Sequence, residues 1–484
     1  MYDTLVINGE TVTEAGPIKA NVAIKDGRVA GLLAHGVKPE AAQVIDAQGK
    51  LVFPGIIDAH VHLRTAHSLN ADTMESGSIA GAFGGVTTFL SFVAPVRAKG
   101  AGAESAIYPE LETDGVDVEA FFNNVIEEGN RISVIDFGLH CTIFPNPDVV
   151  RQVEILTGMG ITSFKLMMAY GRRGWVSSDE ALSLAMKTIA GRNGLAMVHA
   201  ENDGLIRYLE DCYKAQGSYD AENFLNSRPN WAEAEAVYRA ACLARVLDCP
   251  LYVVHLSTKE GLEKIVEARA SGLGVWTETC PQYLLLSNAD TIRLRGLVKI
   301  APPLRTVEDN QALWQGLRQG LIGIVSTDHA AFHWEKQKLA ARSFAEVPFG
   351  APGIETLLPL LYSEGVVKGR ISLTQMVNLL ATNPARQFGL YPQKGTIQIG
   401  ADADMVIFDP QVDWEISSKE LHSAAGYSAF EGWRGKGKPV LSLLRGEILL
   451  KDGKLQRSPG YGRYLPRRPF NTLTWSPTAR SWDG

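Results

Sequence analysis

Gly55-Ile-Ile-Asp-Ala-His-Val-His-Leu-Arg64 is the segment around which this 484-residue chain is best read. An apolar run ending in His60 and His62 reads as a buried strand, and a period of two puts both imidazoles on one face. Paired imidazoles at a strand end are ligands for a divalent metal when further donors join them. The pattern alone also fits an ordinary strand with two polar residues, so the rest of the chain decides.

Around this segment, short apolar strands alternate with helical stretches, the pattern of βα units. The strands fall at 56–62, 86–93, 134–142, 162–167, 195–199, 251–256, 273–279 and 323–327. Amphipathic helices lie between them, among them one opening at Ser178-Asp-Glu-Ala and the alanine-rich segment 231–247. Eight units across residues 53–385 predict an α/β fold, a (β/α)8 TIM-like barrel. A doubly wound open sheet is the alternative, but no glycine-rich phosphate loop follows the first strand.

The two ends share a different texture. Residues 1–52 carry short strands and turns, with Asp26-Gly27 a hairpin turn, and strands recur in Gly395–Phe408 and Val440–Leu450. One small β-domain, a sandwich built from residues 1–52 and 386–455, accounts for both ends; two separate modules are the alternative. Residues 456–484 form a tail rich in Pro, Gly, Arg and aromatics, either a frayed end or an arm on a neighbouring subunit.

Composition narrows the class. With a net charge of −6 the chain lacks the basic excess of a nucleic-acid binder. Its five cysteines are scattered, without a CxxC pair, which fits a reducing compartment and argues against a cysteine-bound zinc. The start, Met1-Tyr-Asp-Thr-Leu, has no basic segment followed by an apolar one, and no apolar run reaches the roughly 18 residues of a membrane span. The expectation is a cytoplasmic protein with neither nucleic acid nor membrane as partner.

Chemistry collects at the C-terminal ends of the strands, where barrels place it. His60 and His62 end the first, Lys165 the fourth, His199 the fifth, His255 the sixth and Asp328 the eighth. Six polar groups at equivalent positions, four of them imidazoles, predict a metal centre. Lys165 among imidazoles and metal would be repelled and desolvated, lowering its pKa. Its neutral amine could then combine with carbon dioxide to give a carbamate, an anion able to bridge two metals. A lysine paired with an acid elsewhere is the simpler alternative.

These residues, together with Phe164-Lys-Leu-Met-Met-Ala-Tyr170, Val198-His-Ala-Glu-Asn202, Pro281-Gln-Tyr283, Ala301-Pro-Pro-Leu-Arg305, Ser326-Thr-Asp-His329 and Pro392-Gln-Lys-Gly-Thr-Ile397, resemble the binuclear amidohydrolase superfamily. Within it the chain looks like the cyclic amidohydrolases: hydantoinases, dihydropyrimidinases, allantoinases and dihydroorotases. The resemblance spans residues 3–455. It implies two divalent metal ions, usually zinc. His60, His62 and Asp328 would bind one, His199 and His255 the other, and carboxylated Lys165 would bridge them. It further implies a bridging hydroxide as nucleophile, Asp328 as proton shuttle, Tyr170 as oxyanion donor, and a homotetramer.

The expected substrate is a small cyclic amide or ureide of hydantoin or dihydropyrimidine type. Ala301 and Phe349 stand where D-hydantoinases typically carry a serine and an asparagine that hold the ring amide. Lys299-Ile-Ala-Pro-Pro303 and Gly353-Ile-Glu-Thr-Leu-Leu-Pro359 look more like allantoinases and L-hydantoinases. Arg64 completes the HxHxR pattern with which dihydroorotases grip a carboxylate, but Phe332 replaces their histidine and no Glu-Pro-Gly follows. An allantoinase-like or dihydroorotase-like enzyme is therefore the alternative. A non-catalytic, dihydropyrimidinase-related scaffold is another, disfavoured because all six ligand positions are filled.

Overall fold

The computed structural model describes residues 1–65, 68–98, 111–113, 115–145, 148–217 and 219–470. Its centre is a parallel barrel. The strands are β1 (Ile56–His62), β2 (Val86–Val93), β3 (Asp136–Ile143), β4 (Ser163–Met167), β5 (Leu195–His199), β6 (Leu251–Val253), β7 (Val275–Thr279) and β8 (Ile324–Val325). They pair in sequence order, and a two-residue strand after β8, His329–Ala330, closes the ring on Val61 and His62 of β1. The fold is a (β/α)8 barrel.

Both faces of these strands are buried, which is why they read as nearly continuous apolar runs. Outward residues such as Val86, Phe89 and Phe164 pack under the helices. Inward ones, Ile57, Ala59, Leu90, Met197, Tyr252 and Trp276, fill the barrel itself. A register shift between Asp58 and Val61 changes the parity of β1, so His60 and His62 follow Ile57 and Ala59 inward.

Two predicted strands end early. β6 stops at Val253 and β8 at Val325, and just beyond them His255 (φ 38) and Asp328 (φ 51) adopt left-handed backbone. Non-glycine residues in that region are costly and collect where a site needs them. The helix over Asp179–Gly191 starts as expected, with Ser178 accepting the Ala181 N–H at 3.2 Å, and the alanine-rich segment is the helix Asn230–Leu247.

Residues from both ends build two further sheets. One has the order Arg28–Ala34, Ala20–Lys25, Tyr2–Ile7, Ala41–Asp46, with the expected hairpin turn at Asp26-Gly27. The other is mixed in origin. Met405–Glu415 and Arg434–Leu444 from the C-terminal part join Leu51–Pro54 and Glu10–Thr13 from the N-terminal part. Val22, Ile24, Val52, Ile407 and Leu443 share the core between these sheets. The strand expected from Gly395 begins only at Met405. The acidic residues before it turn inward instead, Asp402 and Asp404 pairing with buried Lys394 at 3.0 and 2.7 Å.

The tail, as far as Phe470, packs on its own barrel. Phe137 N–H donates to Arg463 O and Leu465 N–H to Phe137 O, at 2.9 and 2.7 Å, so the tail runs along the start of β3. Residues 471–484 lie outside the described residues. Among the described residues no helix is long and apolar enough to cross a membrane.

Candidate active site

The strand-end residues converge at the C-terminal mouth of the barrel. His60 Nε2 and His62 Nε2 lie 3.1 Å apart, and Asp328 Oδ1 is 3.0 and 3.1 Å from them. Beside this group His199 Nδ1 faces His255 Nε2 at 3.0 Å. Lys165 Nζ sits 3.4 Å from His60 Nε2 and 4.5 Å from the Phe92 ring centroid, almost wholly buried.

Carboxylates behind the imidazoles fix their protons. Glu278 on β7 pairs with His60 Nδ1, and Glu201 Oε2 lies 2.8 Å from His199 Nε2. A carboxylate accepts, so each of these nitrogens carries the hydrogen and the opposite nitrogen points a lone pair into the site. Glu278 also accepts from Tyr252 at 3.0 Å, from Ser326, and from the His255 N–H at 3.3 Å. Arg228 holds Glu201 at 2.7 Å. Asp58 ties the end of β8 to β1, accepting the Thr327 N–H and hydroxyl at 3.1 and 2.5 Å.

The charge states follow. Burial lowers His62 to about 4, and lowers His199 and His255 as well. Burial would raise Asp328, but His60 and His62, where they carry a proton toward it, hold it well below the usual carboxylate range. Glu201, likewise buried, is pulled down to about 2 chiefly by Arg228 and His199. Burial depresses the Lys165 ammonium, against the pull of Asp328 and Glu278.

This donor set fits metal. His60, His62 and Asp328 place three ligand atoms within 4.8 Å of one another. The buried His255 Nδ1 has no hydrogen-bond partner. The His199 Nδ1 lone pair, 3.0 Å from His255 Nε2, is directed into the same site. Imidazole and carboxylate donors suit zinc and its neighbours.

Above this floor lies a cavity of about 270 Å3 with aromatic walls: Phe121, Phe144, Tyr170, Trp175, Phe332 and Phe349. Tyr170 (φ 69) leans on His199, ring centroids 5.1 Å apart, and burial pushes its phenol up, keeping it a donor. Phe349 meets Tyr170 edge-on at 5.9 Å and backs onto Lys299 and Arg228, 4.5 and 5.3 Å from its centroid. Ala301 lines the cavity too.

Arg64 does not line it. The strand ends at His62, and the Arg64 N–H turns to Asp72 O at 2.7 Å, so the alternation stops and the side chain is exposed. Arg173, given no role by the sequence, is an arginine that does line the cavity.

Glu278, Glu201, Arg228 and Asp58 escaped the sequence reading. For Glu278, Glu201 and Asp58 the signal is a lone acid inside an apolar strand or just past one. Arg228 lies in the short connection between the helices Ala221–Asn226 and Asn230–Leu247 and carries no such mark. In Val275-Trp-Thr-Glu-Thr279 the acid stands in phase with inward-facing Trp276.

Comparison with known proteins agrees with this architecture. Residues 51–449 match the amidohydrolase family. The chain is 38% identical over 476 residues to a D-hydantoinase of Rhizobium radiobacter, covering 97% of this chain and 99% of that one. It is 34% identical to an L-hydantoinase of Paenarthrobacter aurescens, covering 97% and 99%. A dihydropyrimidinase structure from Brevibacillus agri superposes with a TM-score of 0.90 at 34% identity, covering 97% of this chain and 100% of the other. The chain belongs to the amidohydrolase family, as a cyclic amidohydrolase of the hydantoinase and dihydropyrimidinase type.

Proposed function

We propose that this enzyme opens the ring amide of a hydantoin or dihydropyrimidine carrying an apolar or aromatic substituent. The carrying observation is the aromatic-walled cavity standing directly on the imidazole and carboxylate floor. His60, His62 and Asp328 would hold one metal ion, His199 and His255 a second, with Lys165, N-carboxylated, shared between them. Zinc is the metal this donor set favours. When bound, the two ions polarise a carbonyl and lower the pKa of water.

The chain's own groups do the rest. Asp328, anionic and directed between His60 and His62, takes the proton of the attacking water and returns it to the departing ring nitrogen. The Tyr170 hydroxyl donates to the ring carbonyl oxygen as charge develops there. Phe349 gives the substituent an aromatic face, and Ala301 contributes backbone beside it. The cavity walls exclude water from the reacting bond.

Zinc-loaded protein offered dihydrouracil, hydantoin, both enantiomers of phenyl- and benzylhydantoin, allantoin and dihydroorotate tests this. Aryl hydantoins should exceed unsubstituted hydantoin by about tenfold or more in kcat/KM, as expected when a ring fills an apolar pocket. Preference for dihydroorotate or allantoin would overturn the substituent assignment and make Arg173 the anchor to replace next.

A further inference from the structure

The sequence singled out the arginine- and aromatic-rich tail, and the catalytic reading leaves it without a task. Its described part straps the N-terminal mouth of the barrel. Gly462 N–H donates to Ser133 O at 2.9 Å, Arg467 N–H to Gly160 O at 2.9 Å and Phe470 N–H to Asn193 O at 2.8 Å. The fit is close: a Cβ on Gly462 would lie 2.0 Å from Ile135 O. Leu465 joins the core that fills the barrel interior.

Arg467 goes deeper. Its side chain passes Gly138 of β3, where a Cβ would meet the Arg467 Cδ at 3.6 Å, and only 4% of the residue is exposed. Inside, Nη2 donates to Leu139 O, and Nη1 donates to Ser163 Oγ at 2.7 Å. Ser163 Oγ is 2.5 Å from His140 Nδ1, and His140 Nε2 is 3.1 Å from Ala59 O. A carbonyl only accepts, so Nε2 carries the His140 proton and Nδ1 accepts from Ser163. The hydrogen bonds therefore run one way, from the Arg467 guanidinium through Ser163 and His140 to the carbonyl adjoining His60. The His140 ring also stacks on Phe92 at 4.5 Å, and Phe92 lies against His60 at 4.4 Å and under Lys165 Nζ.

We propose that Arg467 is a positioning residue of the active site, setting from the opposite end of the barrel the imidazole that supports Ala59, Phe92 and through them His60 and Lys165. This rests on His60 and Lys165 holding metal. Ordered partners behind a ligand typically change metal affinity or turnover by 10–100-fold when removed, and oriented networks couple their members.

Arg467→Met and Ser163→Ala in the full-length, zinc-loaded protein test it, with zinc retention against a chelator and kcat and KM all measured. Either change should lower kcat about tenfold with KM within about twofold, and speed zinc loss. The double variant should be no worse than the more impaired single one, because both break the same chain. Arg467→Lys, which keeps a cationic donor, should recover part of kcat. Phe470→Ala, which removes the ring packed 4.9 Å from Trp276, should lower stability and leave kcat alone. Should Arg467→Met fail to fold, Ser163→Ala decides, since it leaves the strap intact. Wild-type kcat and zinc retention in Ser163→Ala would overturn the proposal, as would losses tracking thermal stability across all variants, Phe470→Ala included. A wild-type protein that binds no zinc and opens no ring would instead sink the reading of the site itself.

Discussion

At the scale of single residues, the site depends on groups that burial alone would push to neutrality. Lys165 is the sharpest case. Burial favours its uncharged amine, and its Nζ stands 3.4 Å from a lone-pair nitrogen of His60. A neutral amine there is set up to take carbon dioxide and become an anion. Lys165→Ala should therefore remain folded but lose metal and nearly all turnover, and a short-chain carboxylic acid should restore part of both. Undiminished metal content in that variant would end the carbamate assignment. Five of the six converging groups were legible because they stand near or just past the end of an apolar run, and Lys165, inside β4, was legible through the motif Phe164-Lys-Leu-Met-Met-Ala-Tyr170. Glu278 was not, because a carboxylate inside a strand carries no mark of facing the barrel rather than a helix. Arg64 misled for the opposite reason. Its spacing from His62 continues an alternation that the chain abandons when Arg64 bonds back to Asp72.

Among elements, the barrel strands were legible because burial on both faces leaves them continuous and apolar. The turns just past two of them were not, since left-handed backbone at His255 and Asp328 has no signature in residue type. Loops around the mouth are tied by contacts equally invisible in sequence, and Asp72 is their knot. Its carboxylate accepts from Ser76 Oγ at 2.7 Å, Ser423 Oγ at 2.5 Å and the Ala424 N–H at 2.8 Å, and lies 3.1 Å from His329 Nε2. Burial would raise its pKa, but His329 and the donated hydrogen bonds bring it to about 2, against 3.8 for a free aspartate. The folded state thus binds the Asp72 proton less readily than the unfolded chain. The resulting stabilisation, about 2 kcal/mol, is complete above the free value and is lost as the pH falls through about 2. Asp72→Asn should lower the unfolding free energy by that order at pH 7, and the gap to wild type should close on acidification toward pH 2. A gap that stays constant with pH would mean the carboxylate charge is not what holds these loops.

For the whole molecule, the matching texture of the two ends announced strands at both, but not how they pair. Which segments share a sheet is a matter of long-range register, Met405 opposite Pro54 and Phe408 opposite Leu51, that short-range pattern does not encode. Nor did the sequence assign a task to Lys394, though it lies in one of the motifs that carry the resemblance. In the structure it is 1% exposed and pairs with Asp136 of β3 at 2.7 Å, Asp404 at 2.7 Å and Asp402 at 3.0 Å. Arg445, in the turn just after Arg434–Leu444 of the mixed sheet, reaches the same Asp136, and the Arg463 N–H of the tail donates to it at 3.0 Å. Barrel, sheet and tail meet on one buried cluster, and its lysine opposes the burial of three carboxylates. Lys394→Met would leave those charges with Arg445 as the remaining cation. Removing one partner of a buried ion pair typically costs about 3–5 kcal/mol, so the unfolding free energy should fall by that order at neutral pH, and the denaturation midpoint with it. Adding Asp404→Asn should recover part of the loss, because Lys394 is the ion-pair partner of Asp404 whereas Asp136 keeps Arg445, and an amide oxygen still accepts the Arg445 N–H. An unchanged midpoint in Lys394→Met, or a double variant weaker by the full sum of the singles, would show that these parts are held together by apolar packing alone.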